Sequence, residues 1–92
     1  MIASYRDKET EKVATGIRVK KLEAIALSAQ KRLMAIEAAT RLEDLQVPPG
    51  NHLEALKGDR QGQHSIRIND QYRICFEWKE GKAHNVEITD YH

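Results

Sequence analysis

The chain has 92 residues and a net charge of +1, with 40% hydrophobic and 32% charged side chains. Such a length makes a single small domain, residues 1–92, that buries only about 60–65% of its unfolded surface. No apolar run nears the roughly 20 residues of a membrane span, the first ten residues lack an apolar signal core, and the lone Cys75 excludes an internal disulfide. These features predict a cytoplasmic protein that stays off membranes, and the bulk charge does not announce a nucleic-acid binder.

In chain order, Ile2 to Tyr5 reads as a short edge strand. Asp7 is positioned as an N-cap for a two-turn helix over KETEKVAT, and Gly16 supplies its stop. Leu22, Ile25, Ala29, Leu33 and Ile36 then recur at spacings of three and four, predicting a helix from about Lys21 to Ala39. Leu42 and Leu45 extend the apolar face until Pro48-Pro49-Gly50 ends regular structure. Residues 48–59 read as a loop with Leu53 and Leu56 tucked inward.

After Gly62 the period changes to two. His64, Ile66 and Ile68 share one strand face, with Ser65 and Arg67 on the other. Asn69-Asp70-Gln71 makes a tight turn, and Tyr72, Ile74, Phe76 and Trp78 then alternate with Arg73, Cys75 and Glu77. Glu80-Gly81 is the next turn, and the last strand sets Val86 and Ile88 against Glu87 and Thr89. The result is an α+β class fold in which two N-terminal helices pack on a small antiparallel sheet, leaving a polar face around Arg67, Arg73 and Cys75.

No Gly-rich phosphate loop, C-x-x-C pair or nucleophile elbow is present, and the spacing of His52, His64, His84 and His92 matches no metal-ligand pattern. No metal or cofactor is therefore expected. Charge is distributed unevenly, with six basic side chains against three acidic ones over residues 1–21. Lys57, Arg60, Arg67 and Arg73 face only Asp59 and Asp70 over residues 57–73. For each patch taken alone, solvated surface charge is the favoured explanation.

Beside these cations stands the closing triplet Asp90-Tyr91-His92. Imidazole and phenol shuttle protons, carboxylate orients imidazole, and guanidinium holds a phosphate oxygen. These are the parts needed to cleave RNA without a metal. Spacing alone leaves open the alternative in which Arg73 pairs with a sheet carboxylate and the triplet is merely solvent-exposed.

The segment LEALKGDRQGQHSIRINDQYRICFEW, followed by NVEITDYH, resembles HigB-type toxins of the RelE superfamily, close to the GraT-like branch. The similarity extends upstream through RLMAIEAAT and PPGNHLEAL. The resemblance implies a compact RelE-like fold and a type II toxin that cleaves mRNA in the 30S A site of the ribosome. It also implies a helix-turn-helix antitoxin of the HigA kind, encoded by the neighbouring gene, so that DNA is reached only through the antitoxin complex. Carried over residue by residue, Arg73, Asp90, Tyr91 and His92 take catalytic positions, and Lys57 and Arg60 match the basic loop, with Arg67 beside them as a phosphate contact. Some relatives place an active-site histidine where this chain has Glu54, which leaves the general base open between Glu54, His52 and a reduced site. A non-catalytic regulatory or binding module on the same fold is the alternative.

Overall fold

Asp7 starts the first helix by accepting a 2.7 Å hydrogen bond at Oδ1 from the Thr10 amide. This satisfies one of the orphan donors at a helix start. Helix α1 spans Lys8–Ala14 and ends at Thr15, beyond which Gly16 takes a left-handed φ of 84°. The computed structural model describes residues 1–90.

The second helix begins differently from the sequence expectation. Lys20–Ile25 is a 3₁₀ helix, and only Ala26–Ala38 is α-helical (α2). Val19, at the N-cap position, offers no side-chain acceptor, and Lys20 and Lys21 put positive charge at the positive end of the helix dipole. The tighter turn is the physical consequence of that uncapped start. Leu22 and Ile25 still reach the core, alongside Ala29, Leu33 and Ile36 of α2. A 3₁₀ turn at Leu42–Gln46 buries Leu45.

Strands β1 (Glu54–Ala55), β2 (Gln63–Arg67), β3 (Tyr72–Lys79) and β4 (Lys82–Asp90) form an antiparallel sheet in sequence order. β1 corrects the expected loop: two residues pair with His64 and Ser65 and add an edge to the meander. The Asn69 turn is held by its side-chain oxygen, which accepts from the Gln71 and Tyr72 amides at 2.9 and 2.8 Å. Glu80 and Gly81 both have positive φ, the two-residue geometry that matches strand twist.

A bulge at Asn85 (φ 54°) lets both Ala83 and Val86 face the core, although an odd spacing of three positions would set them on opposite faces of a regular strand. The expected first strand is two isolated parallel bridges, Ile2 to Ala83 and Tyr5 to Val86. Ile66, Ile74, Phe76 and Val86 are fully buried on the helix side. Gln30 Nε2 ties α2 to α1 by donating to the Val13 carbonyl, and two bonds lock helices to sheet: Arg32 Nε to the Arg67 carbonyl, and the Ile88 amide to Thr10 Oγ1. Among the described residues, no helix is long and apolar enough to cross a membrane.

Candidate active site

The sheet register lays the side chains facing away from α2 in rows. Glu54, Ser65, Cys75 and Glu87 occupy one row across all four strands, and Arg67, Arg73 and Thr89 occupy the next. Ser65 is therefore diagonal to Arg73, a separation long side chains span easily.

Arg73 is the fixed point of this face. Its Nε donates to Ser65 Oγ at 2.8 Å, and its Nη2 donates to the His52 carbonyl at 2.7 Å. Glu54 Oε1 lies 3.4 Å from the same Nη2. The Arg73 side chain is only 12% exposed, while Glu54 is 54% exposed at the rim. His52 holds a left-handed backbone (φ 46°, ψ 55°) after the 3₁₀ turn Pro49–Asn51, and this turns its carbonyl onto the guanidinium. His52 thus acts on Arg73 through its main chain. The loop is braced from below by buried Asn51, whose Nδ2 donates to the Leu45 and Val47 carbonyls at 3.2 Å each.

A second cation enters from the 3₁₀ turn Gly58–Arg60. Arg60 Nη1 donates to Gln63 Oε1 at 3.0 Å and to Glu87 Oε1 at 2.7 Å. Arg6 Nε stands 3.7 Å from the same Glu87 oxygen. Lys57, just before the turn, is exposed. Arg67 shares the row of Arg73 and pairs with the exposed Asp70.

Cys75 lies beneath these groups and is fully buried. Burial pushes its thiol up, and the Thr89 hydroxyl with the Arg60 and Arg73 cations offsets this only in part. A thiol held protonated packs as a small apolar group and makes a poor nucleophile.

The structure does not bring every expected site residue together. Arg73 pairs with Thr89, whereas Asp90 pairs with Tyr72 and shares the alternation of Ile88 on the helix side. Asp90 Oδ2 accepts from Gln71 Nε2 at 3.1 Å and borders a cleft of about 220 Å³ with Tyr72, Thr10 and Lys21. The register therefore sets Asp90 one position beyond the strand partner of Arg73. Tyr91 and His92 lie outside the described residues. Ser65, Gln63 and Glu87 hold the two arginines, yet the sequence reading gave none of them a role. Strand register was the signal that would have found them. Among the described residues, no three His, Cys, Asp or Glu side chains cluster closely enough to hold a metal ion.

Comparison with known proteins adds to this geometry. A family profile described as the RelE-like toxin HigB of type II toxin–antitoxin systems matches residues 4–92. Toxin HigB-1 of Vibrio cholerae is 43% identical over 58 residues, covering 63% of this chain and 61% of that protein. Endoribonuclease HigB of Proteus vulgaris is 39% identical over 61 residues, covering 66% and 65%. The chain thus spans less than two thirds of the length of these curated relatives. The YoeB-YefM complex from Staphylococcus aureus contains a chain superposing with a TM-score of 0.58 at 16% identity, over 100% of this chain and 98% of that one, a likeness of fold.

Proposed function

The chain belongs to the HigB-like family of RelE-like toxins from type II toxin–antitoxin systems, and from that membership we propose that it is an endoribonuclease cutting mRNA in the ribosomal A site. The observation that carries this reading is the Arg73 guanidinium, fixed by Ser65 and the His52 carbonyl on the sheet face away from the helices. A cation oriented in advance stabilises the charge that builds on a phosphate in the transition state.

The reaction itself is simple in its parts. A base removes the ribose 2′-hydroxyl proton, the 2′-oxygen bonds to the adjacent phosphorus, and the 5′-oxygen leaves as an acid protonates it. The products carry a 2′,3′-cyclic phosphate and a 5′-hydroxyl, and no metal is required. Family resemblance assigns proton handling to His92 with Tyr91 and Asp90, and phosphate contacts to Lys57, Arg60 and Arg67. Alignment of the mRNA by the ribosome supplies part of the barrier reduction, for which positioning is worth about 7–11 kcal/mol. The modest net charge of +1 then suffices.

Endoribonuclease HigB of Proteus vulgaris carries an endoribonuclease activity in its name, which supports the coarser part of this reading. The partner that restrains it is an antitoxin, of helix-turn-helix type and encoded beside it, and both act in the cytoplasm. The test is to incubate the protein with mRNA-programmed ribosomes and map the new ends. Cleavage that stops when a 2′-deoxynucleotide occupies the scissile position supports the reading. Intact mRNA, or 3′-hydroxyl products, overturns it. One observation favours a non-catalytic binding module instead: the Glu54 carboxylate already sits on Arg73. That reading predicts ribosome binding without cleavage.

A further inference from the structure

We infer that Ser65 is a positioning residue for the reaction, acting through Arg73 by fixing the plane of its guanidinium. The inference rests on the endoribonuclease reading above and adds a residue to it. Ser65 is fully buried on β2, so its hydroxyl sits in one place and is sheltered from competition by water. Its Oγ receives the Arg73 Nε–H at 2.8 Å, and its own main-chain carbonyl lies 3.5 Å from Nη2. The side-chain bond acts at the neck of the guanidinium, on the one nitrogen that rotates least about the chain. The Nη2 bond to the His52 carbonyl acts at the far end. Two contacts at two points of a rigid planar group fix its orientation, where either alone permits rotation about the contact.

The two anchors differ in kind. His52 is supplied by a loop, and Glu54, the third group on Arg73, stands 54% exposed on a two-residue edge strand. Ser65 lies on β2, paired on both sides, opposite Glu54 on β1 and Cys75 on β3. When phosphate arrives and Glu54 gives way, Ser65 is the contact the sheet itself holds still. Serine is a short acceptor, which suits a fully buried position paired with Glu54 and Cys75. Alanine there would leave the Nε–H facing an apolar methyl group.

The test combines Ser65→Ala with Arg73→Lys on programmed ribosomes. A buried hydrogen bond to a charged group corresponds to about a tenfold to hundredfold change in rate. Ser65→Ala should lower the single-turnover rate by that factor while the half-saturating ribosome concentration holds steady. On the Arg73→Lys background, which lacks the Nε–H, the same change should cost nothing further. In the NMR spectrum the Arg73 Nε–H signal, protected from exchange in the parent, should lose its protection in Ser65→Ala. Should alanine fail to fold, Ser65→Cys keeps the volume close and swaps the oxygen for a weak acceptor, so the same comparison applies.

An equal loss on both backgrounds would make Ser65 merely structural and overturn the inference. So would an undiminished rate in Ser65→Ala. A parent protein that leaves ribosome-bound mRNA intact overturns the endoribonuclease reading and this inference with it. Failure of the inference alone is recognised by a parent that cleaves.

Discussion

At Arg73 the Ser65 hydroxyl, the His52 carbonyl and the Glu54 carboxylate converge on one guanidinium and set its plane. Orientation in advance removes reorganisation from the chemical step. Arg73→Ala should therefore lower the single-turnover rate by about 10²–10³ on programmed ribosomes. Arg73→Lys should also be impaired, because an ammonium cannot reproduce the planar fork. An unchanged rate in Arg73→Ala would make it a structural residue. Glu54 is the counterweight. Its carboxylate is 3.4 Å from Arg73 Nη2, so under the proposed function an incoming phosphate would have to displace it. Removing that charge should help or be neutral: Glu54→Gln is expected to match or exceed the parent rate, and Glu54→His to exceed it. A large rate loss in Glu54→Gln, at unchanged ribosome affinity, would show instead that Glu54 is the base.

Elements rather than single residues decide how this face is presented. β2, β3 and β4 were legible because Ile66, Ile74, Phe76, Val86 and Ile88 alternate with polar residues over whole strands. β1 was not, since two exposed residues bounded by Leu53 and Leu56 carry no period. The helix-side placement of Asp90 follows from the same alternation that separates Ile88 from Thr89, once the strand is continued to its last described residue. The pairing of Ser65 with Arg73 needed the register, which no single strand contains. Local capping, by contrast, was readable from Asp7 alone. Asp7→Ala should cost about 1 kcal/mol of stability, within a range of roughly 0.5–2. The check is a lower urea midpoint at unchanged slope, with ribosome cleavage intact. An unaltered midpoint would mean that packing, through buried Thr10 and Val13, fixes α1 without its cap.

At the scale of the molecule, five groups among the described residues shape stability against pH. Asp44 is held low chiefly by the Thr40 and Arg41 amides, and Glu77 chiefly by Lys79. A depressed carboxyl contributes stability above its unfolded pKa, and this is lost as pH falls through the folded value. Burial raises Cys75 and Tyr5, and the hydrogen bond to Glu9 raises Lys21. Raised groups contribute stability below their unfolded pKa, and this is lost as pH rises through the folded value. The urea midpoint should accordingly be flat from about pH 5 to 8 and fall below about 4 and above about 9. Cys75 has the lowest ordinary value of the three raised groups, 9.0, so Cys75→Ala should delay the onset of the alkaline fall. A midpoint that climbs between pH 9 and 10 would contradict this assignment.

The bridges from Ile2 to Ala83 and from Tyr5 to Val86 carry a consequence for the order of biogenesis. Translation at about 5–20 residues per second separates the synthesis of those partners by about 4–16 s. The opening segment must wait through that interval, while α1 and α2 already have each other to pack against. The hydrogen-bond acceptors described on Arg73, by contrast, come from His52 and Ser65, much nearer to it along the chain. Purified chains truncated before residue 83 should therefore stay open to proteolysis near Ser4, and the 92-residue chain should be protected there.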